Sequence, residues 1–284
     1  MILTEPYQNW KVLPPVVDET ALDRTRGTRI LAVANQKGGV GKTTTAINLG
    51  TALAAIRQKV LIVDLDPQGN ASTGLGFAAD DRAVNSYHLL IEDRELLDTT
   101  RETEIPGLDI IVSGPDLYGA EVELVDLSRR EFRLRDALTH GIGAYDYILI
   151  DCPPALGFLT VNALVAAQAV LVPLQCEFYA LEGISQLVKT IDRVRTAFNP
   201  GLEIQGIVLT MHDKRNNLSD LVANDVREFF GDKVYDTVIP RNVRVSEAPS
   251  HGRPVLLYDI ECPGSKAYLT LAGEVIHREK RMTA

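Results

Sequence analysis

The sequence predicts an α/β fold, in which a doubly wound, mainly parallel β-sheet is flanked by helices. Short apolar runs of strand character alternate along the chain with segments whose apolar residues recur at helical spacing. A glycine-rich loop joins the first of these runs to the first helical segment, and two later runs end in aspartate. In sheets of this kind ligands bind beyond the carboxyl ends of the strands, so a site is expected there.

The individual elements follow from the same two periodicities. Residues 1–28 contain three prolines, several charges and no clear periodicity, so we expect an extended or disordered arm there. Residues 29–284 are expected to form a single domain. Its predicted strands are 30–34, 59–63, 108–112, 147–150, 169–173, 204–210 and 234–239, and its predicted helices are 46–57, 117–138, 156–167, 181–198, 218–230 and 265–280.

The composition argues against several classes of protein. The chain has 284 residues, 45% of them hydrophobic, and we predict neither a membrane-spanning run nor a signal peptide. The three cysteines are far apart, which fits reduced thiols in a cytoplasmic protein rather than a disulfide framework or a zinc site. A net charge of −9 argues against a broadly basic nucleic-acid binder, although it is compatible with a local basic face.

The loop after the first strand has the character of a phosphate-binding loop. Its glycines allow backbone N–H groups to close around phosphate oxygens, and the following helix contributes the N–H groups of its first turn. Lys42 supplies a mobile positive charge for the β- and γ-phosphates of a nucleotide, and Thr43 supplies a hydroxyl for Mg²⁺. The residues predicted to bind the nucleotide here are Lys37, Gly38, Gly39, Val40, Gly41, Lys42, Thr43 and Thr44.

This loop departs from the usual pattern G-x-x-x-x-G-K-[ST], because Gln36 stands where the first glycine is expected. A second lysine, Lys37, lies at the front of the loop. The resulting run K-G-G-V-G-K-T-T resembles the deviant Walker A motif of the ParA/MinD family of dimeric ATPases. The resemblance implies a P-loop NTPase that uses ATP and Mg²⁺, in which Lys37 reaches across a dimer interface to the partner's nucleotide.

The aspartates at the strand ends are the candidate groups for the cation and for hydrolysis. The apolar run that ends in Asp151 has the form of a Walker B segment, whose carboxylate orders Mg²⁺ directly or through water. The run D-x-D-P-Q-G-N after the second strand resembles the first switch of the family, which implies that Asp66 orients or activates the attacking water. We interpret Asp64 as a structural residue, and the run 151–154, D-C-P-P, resembles the second switch. The predicted catalytic residues are Lys37, Lys42 and Asp66, and the predicted metal-binding residues are Thr43, Asp66 and Asp151.

The run 239–254 closely resembles the corresponding segment of chromosomal ParA-type partition ATPases. The resemblance extends from about residue 30 to the C-terminus. It implies that Pro240 and Asn242 lie against the adenine and that Arg215 and Arg244 contact DNA. Because acids accompany the basic residues of this region in similar number, the DNA face has to be made by geometry.

Three functions remain open on the sequence. In a partition ATPase, ATP closes a homodimer, the dimer binds double-stranded DNA without sequence preference, and a ParB-type centromere-binding partner stimulates hydrolysis and release. Such a protein is associated with the nucleoid and has no stable membrane association. A MinD-like membrane-cycling ATPase needs an amphipathic C-terminal anchor, for which Gly273, two glutamates and the lack of Phe and Trp are unfavourable. An ATP-dependent amidase or ligase of the cobyrinate type needs a second substrate pocket.

Overall fold

The computed structural model describes residues 27–139, 141–177 and 180–282, so the predicted arm at 1–28 lies outside the described residues except for its last two positions. The described strands are β1 (Arg29–Val33), β2 (Val60–Asp64), β3 (Thr100–Glu102), β4 (Leu108–Ile111), β5 (Tyr147–Asp151), β6 (Ala169–Gln175), β7 (Glu203–His212) and β8 (Val234–Pro240). They form one sheet in the order β3-β4-β2-β5-β1-β6-β7-β8. All neighbouring strands are parallel except β3 and β4. The predicted doubly wound, mainly parallel sheet is confirmed.

Helices cover both faces of this sheet. None of those in the described part of the chain is both long and apolar enough to cross a membrane. The helices are α1 (Lys42–Ala55), α2 (Asn70–Gly74), α3 (Ser86–Ile91), α4 (Leu96–Thr99), α5 (Leu117–Glu123), α6 (Arg133–Thr139), α7 (Phe158–Ala166), α8 (Ala180–Ala197), α9 (Asn217–Phe230), α10 (Val243–Glu247), α11 (Val255–Tyr258) and α12 (Pro263–Met282).

Both faces of the sheet are apolar, because successive residues of a strand face opposite sides and both sides are covered. In β1, Ile30 and Ala32 belong to the core that α3 to α9 help to form, whereas Leu31 and Val33 belong to the core that α1 and α12 help to form. With both faces occupied, the carboxyl ends of the strands are where a parallel sheet presents a ligand site.

Several stretches differ from the sequence-based prediction. The prediction of a continuous helix at 117–138 is wrong, because the chain forms α5, a 3₁₀ turn at Leu124–Asp126 and then α6. The helical path ends where Leu127 is extended and Arg129 adopts a left-handed conformation with φ = 54°. Periodicity also fails to predict α2, α3, α4, β3, α10 and α11, since elements of three to six residues are too short to display it.

Candidate nucleotide-binding site

Three central strands bring the candidate residues together. β2, β5 and β1 are neighbours, and in their parallel register Asp151 pairs with Asp64 on one side and with Val33 on the other. The glycine-rich loop begins two residues after Val33. The loop and the two strand-end aspartates therefore meet at one edge of the sheet.

The loop has the backbone geometry of a phosphate cradle. Gly39 and Gly41 have φ angles of 76° and 89°, in the left-handed region that residues with side chains rarely adopt. Open space surrounds the positions that Cβ atoms would take at Gly38 and Gly39. Gly41 precedes α1, and no described side chain caps this helix, so the N–H groups of its first turn are available to an anion.

Lys42 is fixed within this loop. Its side chain is buried, and Nζ donates to the backbone carbonyl of Lys37 at 3.1 Å. Burial lowers the pKa of Lys42, and the negative charge of Asp151 opposes this shift. The Thr210 hydroxyl donates to the Val40 carbonyl at 2.8 Å and ties the loop to β7. A bound phosphate would thus meet a cation that is already in place.

Lys37 has a different environment. Its ammonium forms an ion pair with Glu177, which follows β6, and its side chain is 40% exposed. The Asn35 side chain fixes the backbone at this point, because it donates to the Pro173 carbonyl at 2.8 Å and accepts the Lys37 N–H at 3.0 Å. In the single chain, therefore, the Lys37 ammonium has an acidic partner outside the loop.

Asp151 has the properties of a cation ligand. It is fully buried, and neither carboxylate oxygen has a hydrogen-bond partner among the described residues. Burial and then the negative charge of Asp64 raise the pKa of Asp151 well above its usual range, while the Thr43 side chain and the Lys42 charge lower it. A buried carboxylate whose oxygens accept no hydrogen bond from the residues that the structure describes, and which lies beside the Thr43 hydroxyl, fits Mg²⁺, which prefers oxygen ligands.

No group of three or more His, Cys, Asp or Glu side chains in the described ranges could hold a metal by itself. Mg²⁺ commonly takes only one or two ligands from a protein and the rest from phosphates and water. The residues at this edge therefore fit a cation that arrives with a nucleotide.

The two aspartates that follow β2 are not equivalent. Asp64 is fully buried and accepts hydrogen bonds from the Asp66 N–H, at 3.2 Å, and from Ser72. Burial raises the pKa of Asp64 to about 6, although these hydrogen bonds lower it. Asp66 is 7% exposed and lines the cleft next to the loop. The Asp64 carboxylate thus fixes the backbone at Asp66 and Ser72, and the Asp66 carboxylate is the one that lines the cleft.

The cleft has a volume of about 470 Å³, which lies within the range of small-molecule sites. Asn48, Met211 and Arg253 border it and were not selected from the sequence. Met211 lies near the carboxyl end of β7 and has φ = 51°. The sequence could have indicated it only through its position directly after the predicted strand 204–210. The lining includes Gly38, Gly39, Gly41, Lys42, Thr43, Thr44, Asn48, Asp66, Gln68, Asn70, Thr73, Met211, Pro249 and Arg253.

Several predicted site residues are not in this lining. Lys37, Val40 and Asp151 adjoin it through the loop and β5, whereas Pro240 and Asn242 lie where β8 ends. The Asn242 side chain caps α10 by accepting the Val245 N–H at 3.4 Å. Contact of Pro240 and Asn242 with adenine stays a prediction.

The two predicted DNA-binding arginines follow neighbouring strands at the edge of the sheet. Arg215 comes after β7, is 87% exposed at its side chain, and pairs with Asp213 through Nε and Nη2. Arg244 is in α10, after β8, and pairs with Glu247 at 3.1 Å and with Asp259 at 3.4 Å. Parallel pairing of β7 and β8 brings both arginines to the same end of the sheet.

Similarity to known proteins extends over most of the chain. Residues 28–204 match a protein family described as an AAA domain. Chromosome partitioning protein ParA of Caulobacter vibrioides is 63% identical over 254 residues, which are 89% of this chain and 95% of that protein. Sporulation initiation inhibitor protein Soj of Bacillus subtilis is 53% identical over 247 residues, which are 87% of this chain and 98% of that protein.

Solved structures have the same fold. Cobyrinic acid a,c-diamide synthase from Mycobacterium smegmatis, with bound ADP and magnesium, has a TM-score of 0.79 at 38% identity and covers 89% of this chain and 96% of its own. The septum site-determining protein MinD from Pyrococcus horikoshii, complexed with Mg-ADP, has a TM-score of 0.73 at 28% identity and covers 87% and 96%. From the extent and identity of these matches and the loop at the carboxyl edge of its sheet, the chain belongs to the ParA family of chromosome-partitioning ATPases.

Proposed function

We propose that this chain is an ATP-dependent DNA-partitioning switch. Two ATP-loaded copies form a dimer, the dimer binds double-stranded DNA without sequence preference, and a ParB-type centromere-binding partner stimulates hydrolysis and release. Residues 29–284 act as one ATPase domain, in the cytoplasm and on the nucleoid. The observation that carries the proposal is the pair of unlike lysines in one loop, with Lys42 buried at the cleft and Lys37 paired outside it.

ATP and Mg²⁺ are the ligands that this edge of the sheet fits. The loop amides and Lys42 hold the β- and γ-phosphates, and Thr43 and Asp151 hold Mg²⁺, which neutralises phosphate charge when it is bound. Asp66 orients the attacking water from the wall of the cleft. Phosphoryl transfer needs little more from a protein than such positioning and charge stabilisation.

The role of Lys37 requires a second subunit. Its ion pair with Glu177 leaves the phosphate site of its own chain to Lys42. Lys37, at the front of the loop, can bind the nucleotide of a second copy once that copy faces it. When the dimer closes, the Lys37 ammonium would leave Glu177 and contact the γ-phosphate of the ATP bound to the partner subunit.

Arg215 and Arg244 are proposed to contribute to the DNA face. Each has an acidic neighbour, so one subunit offers little net positive charge there. Dimerisation doubles the number of phosphate contacts, and affinity rises steeply with that number because every contact releases counterions. An ATP-gated dimer can therefore bind DNA when its monomer barely does.

The two alternative functions have less support. The apolar residues Tyr268, Leu271, Ala272 and Val275 of α12 are buried in the core with α1, so this side of the helix is not available to a membrane. An amidase function is supported by the 38% identity to the Mycobacterium smegmatis synthase. The partition protein of Caulobacter vibrioides, however, is 63% identical over the same share of the chain.

Co-sedimentation with DNA tests the proposed function. The purified chain is mixed with linear double-stranded DNA of unrelated sequences in the presence of ATP, ADP or no nucleotide, with liposomes as the parallel arm. Retention on every DNA with ATP alone supports the partition switch. Retention on liposomes in place of DNA would identify the membrane-cycling function, and retention on neither would contradict the proposal.

A further inference from the structure

Four residues around the first switch form a closed ring of hydrogen bonds. The Asp66 N–H donates to Asp64 Oδ1 at 3.2 Å, and the Ser72 N–H and hydroxyl donate to Asp64 Oδ2 at 2.9 and 2.7 Å. Ser72 Oγ accepts the Ser113 N–H at 2.9 Å, and the Ser113 hydroxyl donates to the Asp66 backbone carbonyl at 2.7 Å. We call these residues, Asp64, Ser72, Ser113 and Asp66, the Asp66 ring.

The Asp66 ring joins three separate elements. Asp64 ends β2, Ser72 is in α2, and Ser113 lies two residues after β4, the strand next to β2. Asp64, Ser72 and Ser113 have no solvent exposure. Buried hydrogen bonds of this kind are costly to lose, because no water replaces the missing partner.

The ring fixes the backbone of Asp66 on both sides of its Cα atom. The N–H is held by Asp64 and the carbonyl by Ser113 and by the Gly69 N–H, at 2.8 Å. The Asp66 carboxylate is restrained as well, since Oδ1 accepts the Gln68 N–H at 3.0 Å. The place of this carboxylate at the cleft is therefore set in part by Ser113, which does not itself line the cleft.

We propose that Ser113 and Ser72 are positioning residues for ATP hydrolysis, which hold the Asp66 carboxylate where it meets the attacking water. The inference rests on the proposed role of Asp66. Catalytic groups lose efficiency steeply when they are displaced by a fraction of an ångström to one ångström, so removal of a hydroxyl from the ring lowers the rate of the chemical step. Binding of the nucleotide does not depend on the ring, because the phosphates are held by the loop and Lys42.

Ser86 provides a matched control for Ser113. It is also fully buried, and its N–H donates to the carbonyl of Val112, the residue before Ser113, at 2.9 Å. Its hydroxyl has no hydrogen-bond partner among the residues that the structure describes. Ser86→Ala therefore removes the same atom from the same neighbourhood without opening the ring.

The experiment measures ATP hydrolysis by the full chain with Mg²⁺ and DNA, together with nucleotide affinity, for Ser113→Ala, Ser72→Ala, Ser86→Ala and Asp66→Ala. We expect Ser113→Ala and Ser72→Ala to lower kcat by about tenfold with KM and nucleotide affinity unchanged. Ser86→Ala is expected to keep the wild-type kcat. Two independent variants of the ring keep the test valid if one of them fails to fold.

The outcomes separate this inference from the proposed function. If Asp66→Ala is inactive while Ser113→Ala and Ser72→Ala turn over at the wild-type rate, the ring has no positioning role. An equal loss of kcat in Ser86→Ala, or a loss of nucleotide affinity in step with kcat, would mean a general structural effect and would also overturn it. If Asp66→Ala hydrolyses ATP normally, the role of Asp66 itself is wrong.

Discussion

At the scale of single residues, the chemistry depends on which neighbours each charged group has. Lys42 contacts a backbone carbonyl inside the loop, and Lys37, five residues earlier, contacts the carboxylate of Glu177. Asp64 accepts three hydrogen bonds from Asp66 and Ser72, whereas the oxygens of Asp151 accept none from the described residues. The sequence predicts different roles for the members of these pairs, and their contacts show that their surroundings differ.

Lys42→Ala tests the phosphate site. We expect nucleotide affinity to fall on the order of a hundredfold, because hydrogen bonds to charged groups contribute about 1.5–3 kcal/mol each. A titration with fluorescent ATP measures this, and Lys214→Ala, which removes an exposed lysine outside the cleft, is the control. Affinity of Lys42→Ala within a few-fold of the wild type would contradict the assignment of the loop.

Asp66→Ala tests the hydrolytic step. We expect ATP binding and dimerisation to persist while turnover falls by about 10²–10⁴, the usual contribution of a residue that orients or activates water. Because the proposed switch releases DNA when ATP is hydrolysed, the variant should stay on DNA longer than the wild type with ATP. Steady-state ATPase assays and DNA dissociation kinetics measure the two effects, and wild-type turnover would rule out this role for Asp66.

The raised pKa of Asp64 leads us to expect that the stability of the fold depends on pH. Burial raises its pKa in the folded chain to about 6, above the usual value of 3.8, so its contribution to the free energy of unfolding falls as pH rises from about 4 to 6. Asp64→Asn does not titrate, so the stability of the wild type relative to this variant should decline over that range, by up to about 3 kcal/mol. Urea denaturation without nucleotide at pH 4.5, 5.5 and 6.5 measures it. A pH-independent difference would contradict the shift.

At the scale of elements, α2 and the segment 239–254, which carries Arg244, consist of short pieces whose positions depend on contacts with residues distant in the chain. α2 begins at Asn70, directly after Gly69, which is left-handed with φ = 62°, and it packs against the 3₁₀ turn Ala248–His251. Gly252 lies so close to Gly76 that a Cβ on Gly252 would come within 2.9 Å of the Gly76 Cα. The segment 239–254, which carries Arg244, therefore packs against α2 and Gly76, which follow the run 64–70.

The sheet and the phosphate loop could be predicted because long apolar strands and a loop with a known mechanism leave local signals in the sequence. The break between α5 and α6 could not, since it depends on an extended Leu127 and a left-handed Arg129 inside an apparently helical pattern. Glu177 and Ser113 were also beyond prediction, because their partners Lys37 and Asp66 are remote in the chain.

Charge reversal at the ends of β7 and β8 tests the DNA face. Arg215→Glu or Arg244→Glu should abolish ATP-dependent DNA retention while ATP binding and dimerisation are unchanged. A milder change, to alanine, should reduce the slope of log affinity against log salt by about 2 per dimer, since one phosphate contact is lost per subunit. Filter binding at several salt concentrations measures both.

Arg101→Glu is the matched control for charge reversal, because Arg101 is an exposed arginine on β3, at the opposite edge of the sheet. It should keep wild-type DNA retention. Dimeric, ATP-loaded Arg215→Glu and Arg244→Glu variants that bind DNA with the wild-type salt dependence would show that the DNA face lies elsewhere.

At the scale of the whole molecule, the proposed switch requires two subunits with complementary roles. In each site of the proposed dimer, Lys42, Asp151 and Asp66 would come from the subunit that holds the ATP, and Lys37 would come from the other. A chain with Lys37→Ala and a chain with Asp66→Ala are therefore defective in different sites of a mixed dimer. The site of the Lys37→Ala chain keeps its own Asp66 and receives Lys37 from its partner.

Mixing these two variants tests the central claim most directly. Each alone should be nearly inactive in ATP hydrolysis with Mg²⁺ and DNA. Random pairing of equal amounts makes half of the dimers mixed, each with one complete site, so the mixture should recover about one quarter of the wild-type rate. A mixture that stays as inactive as its components, although the variants are shown to form mixed dimers, would place Lys37 in its own site and contradict the account.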